Sequence, residues 1–343
     1  MTIDNYAEVK SVCLYKNFKD EHIDVSILIP TYKRATYLEE ALNSIKSQEK
    51  CNFNVEVIVI NNDPASDMSD VIEHFKELKN IAFYQNERNI GMIGNMNRCA
   101  ELAHGYYLAY LHDDDLLHNN YLCSIEKALK EIKDDNCAAY VVNRDIIGKN
   151  PTGINEYVKN VLKGVARLLF LFRFAYRKKY ELLTPEKVLL SWNKNYYLAP
   201  TCGTLFVKKK FLEIGGWNED YYPVFDAILF LQLNQRYKIY FIREKLGVYR
   251  WDVNASLNAD VRISTCCYRL RLINYNYSSK KLSSFFFSNR DVLSYLELNK
   301  YKNNEINEIL HKVNIEYKKP TICQIAVFKI KNFSYRLINN IDY

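Results

Sequence analysis

Glycine and proline are scarce, with 10 and 7 among 343 residues. That shortage excludes long flexible linkers and leaves room for roughly two domains, or one large α/β domain with appendages. Cysteine is present but unpatterned. The nine cysteines are odd in number and none is spaced Cys-x-x-Cys, which argues against a zinc site or disulfide framework and for a reducing cytosol. The adjacent Cys266 and Cys267 read as two buried thiols. No apolar run reaches the ~18 residues that span a bilayer. The opening Met1-Thr2-Ile3-Asp4-Asn5 has no basic stretch leading into an apolar core, so no signal peptide is expected.

What is present is an ordinary globular composition, 48% hydrophobic and 25% charged, with tyrosine frequent at 28 residues. The net charge of +7 is unevenly placed, because residues 261–343 carry 14 Lys and Arg against 6 Asp and Glu. A basic tail suits an anionic partner such as a membrane surface, a diphosphate or nucleic acid. Residues 158–180 hold seven basic and no acidic side chains among Leu, Phe and Val. As a helix they would lie in a membrane interface or pack on a core.

The first ~22 residues are polar and read as a peripheral extension. Residues 25–30 form a short continuous apolar run, as in a strand buried on both faces. Thr36-Tyr37-Leu38-Glu39 fits a capping box and predicts a helix start at Thr36. Further buried strands are predicted at 55–60, 81–84, 106–111 and 137–142, alternating with helices near 68–78, 91–103 and 119–133. Gly105 stands where a helix C-cap belongs. Beyond these, a short strand is expected at 204–207, a helix at 226–235, and two strands at 238–242 and 245–249. Alternation at this interval indicates a mostly parallel, doubly wound α/β sheet, which binds ligands at the carboxyl ends of its strands.

Two polar clusters fall at such ends. One is Asn61-Asn62-Asp63-Pro64. The other is Asp113-Asp114-Asp115, three adjacent carboxylates that repel and raise one another's pKa unless a counter-charge compensates. A divalent cation is one compensator, and a solvated acidic turn is the plain alternative.

Taken in order, five segments resemble the inverting family 2 glycosyltransferases with the GT-A fold, over residues 24–256. They are Val25-Ser-Ile-Leu-Ile-Pro-Thr-Tyr-Lys-Arg34, Val57-Ile-Val-Ile-Asn-Asn-Asp-Pro64, Asn89-Ile-Gly91 with Asn97, Tyr110-Leu-His-Asp-Asp-Asp115, and Gly215-Gly-Trp-Asn-Glu-Asp220 with Phe225-Asp226. The resemblance implies a GT-A domain over 23–260 that contains the basic insert, an N-terminal extension over 1–22 and a basic helical region over 261–343. It assigns the donor nucleotide and sugar to Pro30, Thr31, Tyr32, Arg34, Asn61, Asn62, Asp63, Asn89, Gly91, Asp113, Asp115 and Arg250. Asn61 departs from the Asp often found there, and the segment at 249–256 lacks the family's His. A Mn²⁺ or Mg²⁺ ion is assigned to Asp114 and Asp115, with Asp114 the direct ligand and His112 a packing residue. Asp226 is the implied catalytic base, with Glu219 and Asp220 competing.

The expected activity is transfer of a sugar from a UDP-sugar to a hydroxyl of a lipid-linked or growing glycan in surface polysaccharide synthesis, in the cytoplasm at the inner face of the membrane. A sugar-phosphate nucleotidyltransferase is the second reading, although Pro30-Thr-Tyr-Lys-Arg-Ala35 lacks the glycines of a triphosphate loop. A non-catalytic membrane- or glycan-binding protein is the third. Nucleic acid is not an expected partner, since the basic residues carry no recognised motif.

Overall fold

The computed structural model describes residues 8–18, 22–148, 178–184, 188, 201–251, 258, 260–261, 263–265, 267–268, 303–312 and 321. The chain divides into two compact units, one of Met1–Val188 with Tyr196–Asp252 and one of Leu189–Asn195 with Val253–Tyr343. In the second, the helix Asn303–Lys312 buries Glu305 and Ile309, four residues apart and so on one helical face. Cys267 is buried there as expected, while Cys266 lies outside the described residues. The helix expected over 158–180 also falls outside them, except that Tyr180 opens a strand instead.

The first unit is built on one sheet. Its strands are β1 (Ser11–Lys16), β2 (Val25–Thr31), β3 (Val55–Asn61), β4 (Ile81–Asn86), β5 (Tyr107–Tyr110), β6 (Leu116–Leu117), β7 (Cys137–Ile147), β8 (Tyr180–Leu182), β9 (Leu205–Val207) and β10 (Lys238–Arg250). They lie in the order β1-β4-β3-β2-β5-β9-β7-β10-β6, with β8 beside β10. Strands β4, β3, β2 and β5 run parallel, as do β7 and β10, and β9 stands antiparallel between β5 and β7. Mostly parallel, doubly wound packing is therefore what the continuous apolar runs encode.

Period-2 alternation sorts these runs onto two faces. Val25, Ile27 and Ile29 of β2, with Val57 and Val59 of β3, pack on one face with Leu38, Ala41 and Leu42 of α1 (Ala35–Lys46) and Leu122 and Ile125 of α4 (Tyr121–Ile132). The short helix α2 (Ser69–Phe75) adds Val71 and Phe75 there. Leu28, Ile58 and Ile60 turn to the other face. There they meet Ile93, Met96 and Cys99 of α3 (Gly91–Leu102), Phe211 of α5 (Lys208–Glu213) and Leu229, Phe230 and Leu233 of α6 (Phe225–Arg236).

Four local expectations are corrected. The polar opening segment is no mere extension, because Ser11–Lys16 adds an antiparallel edge strand to β4. Helix α1 begins at Ala35 rather than at Thr36, and no side chain caps it; the chain enters from Arg34, whose carbonyl accepts the Leu38 N–H at 2.9 Å. Gly105 is not a C-cap, since α3 ends at Ala103 in extended conformation. A Cβ at Gly105 would stand 2.6 Å from Ser26 N and Oγ, so close approach of two backbones demands the glycine. The two strands expected at 238–242 and 245–249 are one strand, β10, whose register shifts mark irregularities between Ile242 and Gly247.

Candidate functional site

Strand order reverses at β2. The crossover through α1 places β3 on one side of it, while β5 lies on the other. A crevice at the carboxyl ends of β2 and β5 is where such sheets take ligands. The first residue to bridge it is Thr31, the last of β2, whose Oγ1 donates to Asp113 Oδ2 at 2.8 Å. The Tyr32 N–H donates to the same oxygen at 3.3 Å, and Pro30 stands one residue back within β2.

After β5 the chain turns, with the Asp115 N–H reaching the His112 carbonyl at 3.1 Å. Strand alternation therefore does not govern the three aspartates, and their carboxylates diverge. Asp113 faces Thr31 and takes Arg34 Nη1 on Oδ1 at 3.3 Å. Asp114 takes the same Nη1 on Oδ2 at 2.5 Å, and none of the described residues donates to its Oδ1. Asp115 turns toward β10 and accepts the Arg250 N–H on Oδ1 at 3.0 Å, while its other oxygen is buried with no hydrogen-bond partner among the described residues. Burial, reinforced by Asp114, pushes the Asp115 carboxyl up to about 8, against the opposing pull of the Arg250 N–H. Burial likewise raises Asp113, opposed by its hydrogen bond from Thr31. His112 turns to Thr201. Its Nε2 lies 3.0 Å from Thr201 Oγ1, and burial lowers its pKa against the pull of Asp114 and Asp113.

A hard divalent ion asks for oxygen ligands. Among the described residues no three His, Cys, Asp or Glu side chains converge to cage one. Asp114 offers a carboxylate oxygen, whereas Asp115, only 1% exposed, is committed to Arg250. This donor set fits the mode in which one carboxylate holds the ion and substrate phosphates and water complete its shell.

The asparagine cluster proves to be two things. Asn61 folds back on its own loop, donating to the Asp63 carbonyl and accepting the Asp63 N–H, both at 3.0 Å. Asn62 is buried and saturated: Nδ2 donates to Asn89 Oδ1 (2.9 Å) and the Gly91 carbonyl (3.1 Å), and Oδ1 accepts from Asn86 Nδ2 (2.9 Å) and the Ile90 N–H (3.0 Å). Neither Asn61 nor Asn62 presents its amide outward. Asp63, half-buried, accepts the Ala65 N–H on Oδ1 at 3.2 Å and lies within electrostatic reach of Lys33, whose ammonium stands over the Tyr32 ring. Asn89 and Gly91 are bound into the same network, the Gly91 N–H donating to Asn89 Oδ1 at 2.8 Å.

Asn86 and Asn95 complete this network, unanticipated from the sequence. Asn86 Nδ2 also donates to Asn95 Oδ1 (2.9 Å), Asn95 Nδ2 donates to the Ile60 carbonyl (3.0 Å), and Ser11 Oγ donates to Asn86 Oδ1 (2.6 Å). The one signal was asparagine recurring at 86, 89 and 95 beside an apolar strand, where loops and helices ordinarily tolerate it.

On the other flank, Asn97 of α3 clamps the segment ahead of α6. Its Nδ2 donates to the Trp217 carbonyl (2.8 Å) and its Oδ1 accepts the Trp217 N–H (2.9 Å). Gly215 and Gly216 adopt φ of 88° and 66° to make the approach. Asp226 then stands in the first turn of α6, half-buried, accepting the Ala227 N–H, where the helix dipole favours its charge. Val224, not Asp226, is the cap residue. Glu219 and Asp220 are exposed on the preceding short 3-10 turn. Arg144 of β7, also unanticipated, is buried within the electrostatic reach of Asp115 and Asp226.

Arg250 is brought to the aspartate turn but is already engaged. Its Nε donates to the Asp114 carbonyl (3.0 Å), Nη2 pairs with Glu40, and the guanidinium lies over the Tyr37 ring at 4.8 Å. It braces the turn rather than presenting a bare cation.

Comparison with known proteins follows these contours. The Glycosyl transferase family 2 profile matches residues 26–193, covering β2, β3 and the aspartate turn but ending before α6. The abequosyltransferase RfbV of Salmonella typhimurium is 33% identical over 112 residues, 32% of this chain and 34% of that protein. A GalNAc(5)-diNAcBac-PP-undecaprenol beta-1,3-glucosyltransferase of Campylobacter jejuni is 25% identical over 230 residues, 66% of this chain and 64% of its own. The chain thus spans about a third of one relative and just under two thirds of the other. The fold is shared with S. aureus TarS 1–349 in complex with UDP-GlcNAc, at TM-score 0.52 and 15% identity over 92% of this chain and 74% of that one. The mannosyltransferase PcManGT of Pyrobaculum calidifontis, in complex with GDP-Man and Mn²⁺, superposes at TM-score 0.50 and 15% identity over 92% and 81%. The architecture is therefore a GT-A fold, and residues 26–193 of the chain belong to glycosyl transferase family 2.

Proposed function

We propose that this chain is an inverting glycosyltransferase that moves a sugar from a UDP-sugar to a hydroxyl of a lipid-linked or growing glycan in surface polysaccharide synthesis. The observation that carries it is the bridge from Thr31 to Asp113 across the switch point, with Asp114 beside it and Asp226 heading α6. The donor class rests on the UDP-GlcNAc complex of the fold neighbour, and the lipid-linked acceptor on the undecaprenol-linked substrate for which the Campylobacter relative is named. Contact of the basic segments with a membrane belongs to the same proposal. Among the described residues no helix is long and apolar enough to cross one.

In this reading Asp63 and Tyr32 take the base, while Asn61, Asn62, Asn89 and Gly91 hold the loop that shapes its pocket. Asp113, oriented by Thr31, takes ribose or sugar hydroxyls. Asp114 holds the Mn²⁺ or Mg²⁺ ion, which when bound neutralises charge on the diphosphate. Asp226 accepts the acceptor hydroxyl's proton while that oxygen bonds to the anomeric carbon. The bond from that carbon to the UDP oxygen breaks in the same displacement, and UDP leaves with the electron pair. Arg250 braces the turn that carries Asp114 and Asp115.

A screen of UDP-sugars, read by UDP release with Mn²⁺ and Mg²⁺ varied, tests the reading. At least one donor turns over, and Asp226→Asn lowers kcat by about 10²–10⁴-fold while the protein stays folded. Full turnover by that variant removes Asp226 from its role.

A further inference from the structure

Three adjacent aspartates need a positive partner, and Arg34 is already in that position. One nitrogen, Nη1, spans Asp113 Oδ1 at 3.3 Å and Asp114 Oδ2 at 2.5 Å. The carboxylates are little exposed, at 8% and 12% of their side-chain surface, while the guanidinium is 35% exposed. The pair is thus more sheltered on its carboxylate side than on its arginine side. Arg34 is also the residue from which the chain enters α1, directly after the Thr31–Tyr32 contacts to Asp113.

We infer that Arg34 is a resident counter-cation that competes with the divalent ion for Asp114, so that the ion binds firmly only together with the nucleotide diphosphate. The inference rests on the glycosyltransferase reading and adds an order to it. Asp113, Asp114 and Arg34 together carry one net negative charge. A divalent ion alone reverses that to one net positive and sets two cations on one carboxylate. A diphosphate with two negative charges restores the balance. It also offers Arg34 oxygen acceptors matched to a guanidinium fork, so the arginine can leave Asp114 without losing its hydrogen bonds. Even at the dielectric of water, a divalent and a univalent cation about 4 Å apart repel enough to weaken binding by more than about tenfold.

Titration of Mn²⁺ by electron paramagnetic resonance, with and without UDP, tests this on wild type, Arg34→Ala and Arg34→Lys, with circular dichroism as the check on folding. Wild type holds Mn²⁺ weakly alone and about tenfold or more tightly with UDP. Arg34→Ala holds Mn²⁺ about tenfold more tightly than wild type without UDP and gains less when UDP is added. Arg34→Lys keeps the charge and stays near wild type. Wild type that binds UDP with Mn²⁺, beside an Arg34→Ala that holds Mn²⁺ alone no more tightly, overturns the inference and leaves the functional reading standing. A lysine variant that behaves as the alanine one also overturns it, because charge is then not the cause. Wild type that binds no UDP at any Mn²⁺ concentration overturns both.

Discussion

Replacing Asn86 by alanine tests whether the buried asparagine network holds the donor loop. Asn86 is fully buried at the end of β4. Truncation takes its donor from Asn95 Oδ1, which has no other among the described residues, and its acceptor from Ser11 Oγ, which still accepts from Arg98 Nη1 at 2.7 Å. Asn62 Oδ1 fares better, since it keeps the Ile90 N–H at 3.0 Å. Two groups that each lose a partner at about 1–3 kcal/mol give a loss of roughly 2–6 kcal/mol. With a urea m-value of about 2–3 kcal/mol/M, the midpoint of unfolding falls by about 0.7–3 M. Urea denaturation followed by tryptophan fluorescence reads this directly. Asn86→Asp supplies an internal check. Its carboxylate still accepts from Ser11 but meets the oxygens of Asn62 and Asn95, so it is destabilised at neutral pH and recovers as acid protonates it. Asn89 and Gly91 hang from Asn62, so both variants also weaken UDP binding. A loss below about 0.5 kcal/mol in Asn86→Ala refutes the satisfied network as the source of rigidity here.

Two further outcomes follow from particular contacts. Gly215→Ala costs roughly 1–2 kcal/mol from its positive φ alone, because open space surrounds its Cβ position. Gly216→Ala costs roughly 2–4 kcal/mol, since its Cβ also falls 2.8 Å from Asn97 Oδ1. Melting of both variants checks the difference, and equal costs refute the clamp on Trp217. Glu126 is held down to about 2 by hydrogen bonds from Lys130 and Asn52. Its folded pKa lies below the unfolded value, so its stabilisation is complete above about 4.5 and lost as pH falls toward 2. Glu126→Gln therefore flattens the acid limb of the stability curve in that window. An unchanged slope between wild type and variant counts against the pairing.

The sequence by itself determined the buried strands and their parallel order, because a strand covered on both faces must be apolar at every position. Residues 25–30 and 55–60 come near that pattern without a fold to compare them with, departing from it at Ser26 and Glu56, which are buried and hydrogen-bonded to each other. It also determined that Asp113, Asp114 and Asp115 follow a buried strand, and that Asp226 follows a paired glycine. Strand β1 was not legible. It is an edge strand whose Val12, Cys13 and Leu14 are exposed, and its hydrogen bonds to β4, not its apolar content, hold it in place. Asn86 and Asn95 were illegible for a related reason. An asparagine's local preference is for turns, and only a partner from another element reveals it as a buried tie.

Tertiary structure alone decided which way the three aspartates face. The backbone turns after His112, so alternation along the strand fails, and each carboxylate follows the donor that a distant element delivers. Thr31 draws Asp113, the Arg250 N–H draws Asp115, and Arg34 holds Asp114. Charge repulsion among neighbours in sequence demands a counter-charge. Only packing between β2, β5 and β10 chooses where each one comes from.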